Sequence, residues 1–209
     1  MFPKIIDPEK IEAESFRIIE EEVGPHPFSE SEFQIVRRVI HATADFEFIK
    51  TIRFHPEAIV SGIDALRSGA SIVADVEMIQ SGISKVGLKP FGGAVHCYIS
   101  DEDVIASAKS LGITRAICAM RKAAKTNASV YAIGNAPTAL FELIRLVREG
   151  VISPALIVGV PVGFVSAVES KEALLGIQTP FITTLGRKGG TPVAVAIVNA
   201  LLRLARAGG

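Results

Sequence analysis

The chain has 209 residues, and at roughly 150 residues per domain that is room for one large domain with a proper core rather than two small ones. With 49% hydrophobic and 21% charged residues, a mean hydropathy of +0.41 and only two cysteines, Cys97 and Cys118, intrinsic disorder and a disulfide scaffold are both excluded. Twenty-two basic residues balance 22 acidic ones, so the net positive field of a protein that grips nucleic acid by its phosphates is absent.

The first 30 residues hold eight acidic and three basic side chains, with no basic start followed by an apolar run. Together with the low cysteine count this predicts a cytoplasmic protein. Asp7 as N-cap and Pro8 at the first helical position announce a helix with Ile11, Ile18 and Ile19 on one face, and Ser15 falls on that face. After the break Gly24-Pro25-His26-Pro27, Ser29 and Glu32 form a capping box, with Phe28 and Phe33 at the staple positions, and start a second helix that runs to about His41. An irregular stretch through Arg53 follows. The pattern then predicts a helix over 57–68, strands over 71–76 and 94–99, a helix capped by Asp101 and ending near Gly112, and a helix over 114–126. Beyond it the alternation is regular: strands over 129–133, 155–159 and 181–184 with helices over 138–149, 166–175 and 191–206. Five strands alternating with helices predict an α/β fold, a three-layer, doubly wound, mainly parallel five-stranded sheet in one domain spanning residues 1–209.

Residues 151–168 carry no charge over 18 positions, the length at which a membrane span becomes a candidate. Pro154, Gly159, Pro161 and Gly163 interrupt any such helix, and Leu156-Ile157-Val158 is short and rich in β-branched side chains. The segment reads as a strand buried on both faces, and no membrane partner is expected.

Ligands of open parallel sheets bind beyond the carboxyl ends of the strands. Three loops there are unusual: Gly134-Asn135-Ala136-Pro137-Thr138, Gly159-Val160-Pro161-Val162-Gly163-Phe164 and Gly186-Arg187-Lys188-Gly189-Gly190. Each lets backbone approach a ligand and precedes a helix whose first amides favour an anion, although ordinary turn chemistry accounts for the same residues. The dinucleotide pattern G-x-G-x-x-G and the phosphate loop are absent, and no His or Cys pair has metal-ligand spacing. Lys109, Arg115, Arg121, Lys122 and Lys125 lie between Val104 and Phe141 without one acid. They form either an anion-binding flank or a solvated helix face. His41 closes a helix, where it favours the dipole or donates a proton near neutrality; spacing by itself favours the first.

Ser15-Phe16 in the first helix, Arg38-Val39-Ile40-His41-Ala42, Gly134-Asn135-Ala136-Pro137-Thr138-Ala139-Leu140, the run from Gly159 to Val165 continuing to Glu169-Ser170-Lys171, and Gly186-Arg187-Lys188-Gly189-Gly190 together resemble the precorrin-8X methylmutase family of cobalamin biosynthesis. The likeness spans nearly the whole chain. It implies a flavodoxin-like fold and a homodimer with its site near the subunit interface. It also implies an isomerase without a cofactor, which moves a methyl group from carbon 11 to carbon 12 of a ring-contracted tetrapyrrole, precorrin-8X or cobalt-precorrin-8. The product is hydrogenobyrinate or, with cobalt present, cobyrinate. By the same resemblance His41 is the acid that protonates the macrocycle and Ser15 touches the substrate. The motifs place Arg115, Asn135, Thr138 and Arg187 near the sheet edge, where they are expected to bind substrate carboxylates. The stretch 43–50 is not among the segments that carry the resemblance, and Asp45 and Glu47 receive no role.

Two other classes fit parts of this pattern. A carrier that captures an anionic macrocycle without chemistry needs the same slot and cations. A signalling domain on a flavodoxin-like sheet needs an acidic cluster at the strand ends and a lysine after the last strand, of which Asp75 and Lys188 supply a fragment.

Overall fold

In the computed structural model, which describes residues 7–207, the apolar runs assemble into one six-stranded sheet. In chain order the elements are α1 (Pro8–Val23), α2 (Glu30–Thr43), α3 (Phe48–Thr51), β1 (Ile52–Phe54), α4 (Ala58–Arg67), β2 (Ser71–Ala74), α5 (Glu77–Gly82), α6 (Lys85–Leu88), β3 (Val95–Cys97), α7 (Glu102–Leu111), α8 (Arg115–Ala123), β4 (Ala128–Ile133), α9 (Pro137–Arg148), β5 (Leu156–Gly159), α10 (Ala167–Leu175), β6 (Phe181–Thr184) and α11 (Thr191–Ala207). The spatial order is β1-β6-β5-β4-β2-β3. All neighbours are parallel except β1, which runs antiparallel to β6. The five parallel strands are the expected five, and their winding order is the flavodoxin-like one. The sixth strand corrects the expected count: the stretch through Arg53 is not irregular but holds α3 and the edge strand β1.

Side chains alternate across the sheet into two cores, as the period of two demands. Ile72, Ala74, Val130, Ala132, Leu156, Val158 and Ile182 face one layer, packed by α2, α4, α5 and α11. Val73, Tyr131, Ile133, Ile157 and Phe181 face the other, packed by α7, α8, α9 and α10. Strand β5 is buried along its whole length, so the uncharged segment is a central strand covered on both sides. Among the described residues no helix is long and apolar enough to cross a membrane.

Local signals act largely as read. Asp7 accepts the Glu9 amide at 3.0 Å, and Ser29 and Glu32 exchange both bonds of the capping box. Asp101 stands at the N-cap of α7 without bonding a helix amide; its carboxylate takes the Lys122 ammonium at 2.6 Å instead. The face of α1 also differs from expectation. Ile11 and Ile18 are exposed, while Phe16, Ile19 and Val23 pack inward and Glu12 reaches Arg38 of α2. These four recur at helical spacing, one row round from the face expected.

Candidate active site

The last turn of α2 presents His41 to solvent. Ala44, in the left-handed conformation at φ 52°, ends the helix and donates its amide to the Ile40 carbonyl at 2.7 Å. The His41 ring meets Phe16 edge-on at 5.3 Å between centroids. Two guanidinium groups, of Arg37 and Arg38, lie 4.2 and 4.9 Å from the centre of the same Phe16 ring. Phe16 therefore ties α1 to the end of α2, and Ser15, half-buried beside it, donates its hydroxyl to the Ile11 carbonyl at 2.8 Å. That leaves the Ser15 oxygen free to accept.

His41 opens onto a cleft of about 310 Å³ between α2 and α11, lined by Arg38, His41 and Ala42 on one side and Pro192, Val195 and Asn199 on the other. Arg203 of α11 closes one end. Glu12 bridges Arg38 at 3.2 Å and Arg203 at 3.6 Å. The Arg38 hydrogen bond holds the Glu12 carboxyl below its usual range, and the charges of Arg203 and His41 add to the effect. Asn199 also accepts from the Ser84 amide at 2.8 Å and donates to the Gly82 carbonyl at 3.0 Å. The far wall of the cleft thus abuts the α5–α6 segment, which carries a larger concavity of about 760 Å³ lined by Lys85, Lys89 and Gln80. That second concavity has no imidazole or carboxylate in its lining.

The carboxyl edge of the sheet is built differently from expectation. Asp75, fully buried just after β2, accepts the amides of Gly134 at 3.1 Å, Asn135 at 2.8 Å and Ala136 at 2.7 Å. Burial pushes its carboxyl up, opposed by those three donors. In the second loop the Val160 amide bonds Ile133 and the Gly163 amide bonds Arg187; in the third, the Gly190 amide bonds Val160. The amides of residues 134–136, 160, 162, 163 and 190 are thus bonded within the protein. The same contacts dispose of the signalling reading, since Asp75 is used up by backbone and Lys188 reaches Asp45 and Glu47 at 2.6 and 2.8 Å.

The expected site residues fall into separate groups. Ser15 and His41 flank Phe16 on the α1–α2 side. Thr138 shares a hydroxyl bond of 3.1 Å with Thr114, next to Arg115 at the start of α8, and Asn135 is exposed on the loop before α9. These come from helices on the opposite face of the sheet. Arg187 is exposed, its guanidinium 5.3 Å over the ring of Phe164. The basic flank also dissolves in part: Arg121 pairs with Glu142, and Lys122 with Asp101 and Asp103. Of the cations that line the His41 cleft, Arg203 carries no sequence signal and Arg38 enters the sequence reading only within the run that ends at Ala42, without a role of its own; it stands one turn before His41, and that spacing is the signal for it.

A model of the precorrin-8X methylmutase family matches residues 10–204. The chain is 54% identical to the cobalt-precorrin-8 methylmutase of Priestia megaterium over 99% of its own length and 92% of that protein. It is 54% identical to the protein of the same name from Leptospira interrogans over 93% of this chain and 92% of the other. The crystal structure of a precorrin-8X methylmutase from Thermus thermophilus superposes with a TM-score of 0.90 at 44% identity, covering 96% of this chain and 98% of that one.

Proposed function

The chain belongs to the precorrin-8X methylmutase family, and on that premise we propose that it is an isomerase moving a methyl group from carbon 11 to carbon 12 of precorrin-8X or cobalt-precorrin-8, with His41 as the general acid. The observation that carries the role of His41 is its place: an exposed imidazole at the mouth of a cleft with two arginines, its ring braced by Phe16. Imidazole is the side chain best suited to general acid catalysis near neutrality. Protonation draws electron density from the conjugated ring, and the bond from carbon 11 to the methyl group breaks as the bond to carbon 12 forms. Reactant and product are isomers, so the proton taken up is matched by one released, and no oxidant or cofactor enters the balance. The protein's contribution is then mainly positioning and charge stabilisation.

Ser15, one residue before the Phe16 that braces His41, offers its oxygen to the substrate, and Arg38 and Arg203 of the cleft offer cations to the substrate carboxylates. Arg115, Asn135, Thr138 and Arg187 serve as outer contacts, because they do not line the cleft. A cleft of about 310 Å³ is at the low end for a ligand pocket and small for a tetrapyrrole. We read the working unit as a homodimer of a single-domain chain, residues 1–209, in the cytoplasm, with the site completed near the subunit interface. The shared name of the two 54% relatives favours the cobalt-containing substrate and disfavours the carrier without chemistry.

Incubating the wild type and His41→Ala with metal-free and cobalt-loaded precursors, then extracting the pigment, tests this directly. The wild type converts the pigment, and H41A shifts its spectrum on binding but yields at least a hundredfold less product. Wild-type turnover in H41A overturns the assignment.

A further inference from the structure

The Lys188 side chain spans from the loop that leads into α11 to the segment that follows α2. Its Nζ lies 2.6 Å from Asp45 Oδ2 and 2.8 Å from Glu47 Oε2. The hydrogen bond to Lys188 holds the Asp45 carboxyl below its usual range, and the two acids in turn raise the lysine. Its backbone is fixed as well. The Lys188 carbonyl accepts from the buried Lys171 ammonium at 2.7 Å and from the Thr184 hydroxyl at 2.9 Å. Behind it, a Cβ on Gly189 would stand 2.3 Å from the Val160 carbonyl oxygen, so the loop lies flat against its neighbour with no room to slide. Lys188 is therefore held at both ends, one end anchored in the sheet and the other gripping the turn that begins three residues after His41.

The two elements so joined are the two walls of the His41 cleft: α2 carries Arg38 and His41, and α11 begins with Thr191-Pro192 just after Lys188. We propose that Lys188 is a positioning residue, a latch that holds the His41 end of α2 against the start of α11 and so sets the aperture of the cleft and the approach of the imidazole. Exposed ion pairs add little to overall stability, so the effect of the latch falls on geometry rather than on whether the chain folds. The cation is also occupied: with two carboxylates at 2.6 and 2.8 Å, Lys188 is committed to the protein rather than offered to a substrate carboxylate.

The inference rests on His41 being the acid, and its test is separable from that assignment. Hydrogen–deuterium exchange of the ligand-free protein reports the latch without any turnover: Lys188→Met speeds exchange severalfold in the peptide covering residues 42–51, with the β4 and β5 peptides unchanged. In turnover assays Lys188→Glu lowers kcat about tenfold while KM moves less than threefold. The triple variant K188E/D45N/E47K restores kcat to within threefold of wild type, because D45N keeps a side-chain oxygen for the Glu47 backbone amide, which Asp45 accepts at 2.9 Å, and E47K supplies the opposite charge. Unchanged exchange over residues 42–51 in K188M overturns the latch. A triple variant as inactive as K188E overturns it too, since the lysine charge would then be needed by the substrate. A wild type without turnover refutes the proposed function and leaves the exchange result to decide the latch.

Discussion

Single residues carry more here than their types announce. Lys171 is fully buried, and among the described residues its ammonium has the Lys188 carbonyl and the Thr184 hydroxyl as its hydrogen-bond partners. Burial pulls its pKa from 10.5 down to about 8. Because the folded value lies below the unfolded one, the unfolded chain binds more protons between those two pH values, and stability rises across that window. Urea unfolding at pH 7.5 and 9.5 is expected to show the wild type gaining up to about 2 kcal/mol relative to Lys171→Met, at ~1.4 kcal/mol per pK unit; parallel behaviour of the two proteins would refute it. Sequence could name Lys171 within a motif, yet nothing in a motif shows that a lysine is buried. The same limit hid Asp45 and Glu47: their partner Lys188 is more than 140 positions away, and spacing along the chain cannot report such a pair. His41 and Ser15 come into view through the resemblance to the family, since spacing by itself favours a helix-capping place for His41.

At the scale of elements, the parallel strands were legible because each is a run of apolar, often β-branched residues bounded by turn formers, whereas β1 is only three residues, Ile52-Arg53-Phe54, too short for any period to show. Helices α5 and α6 escaped for a related reason, being six and four residues long and interrupted by Gly82 and Gly87. The junction between β2 and β4 depends on Asp75, whose carboxylate takes three amides of the loop before α9. Asp75→Asn turns one acceptor into a donor facing a donor. The expected cost is about 2–3 kcal/mol, the range for losing hydrogen bonds to a buried charge; a urea midpoint within error of wild type would show that the loop holds itself. Packing between β5 and its helices is equally tight. A Cβ on Gly159 would come within 2.6 Å of Leu174 and 3.0 Å of Leu140, so Gly159→Ala should cost about 1–3 kcal/mol by overpacking, read from the same unfolding curves.

For the whole molecule, balanced charge and an apolar composition conceal a divided surface. Most of the apolar excess is the doubly covered sheet, but Phe164 and Val165, at 84% and 83% exposure, stand out on the loop after β5 beside Arg187. Singly scattered exposed apolar residues need no explanation, and this adjacent pair is where the proposed dimer is expected to make contact. Sedimentation should give twice the chain mass of 22.2 kDa for the wild type and a shift toward monomer for Phe164→Ser; a monomeric wild type would refute the dimer. The direction of β1 decides something larger than its three residues. Because it runs against β6, Ile52 lies opposite Thr184 and the Leu185 amide bonds Thr51, so the chain arriving from α2 enters the sheet at the carboxyl edge. A parallel β1 would deliver the same segment to the amino edge, about 10 Å away at ~3.3 Å per residue. One strand's polarity thus works as an address, bringing His41 from a helix outside the winding pattern to the side of the sheet where ligands of such folds bind.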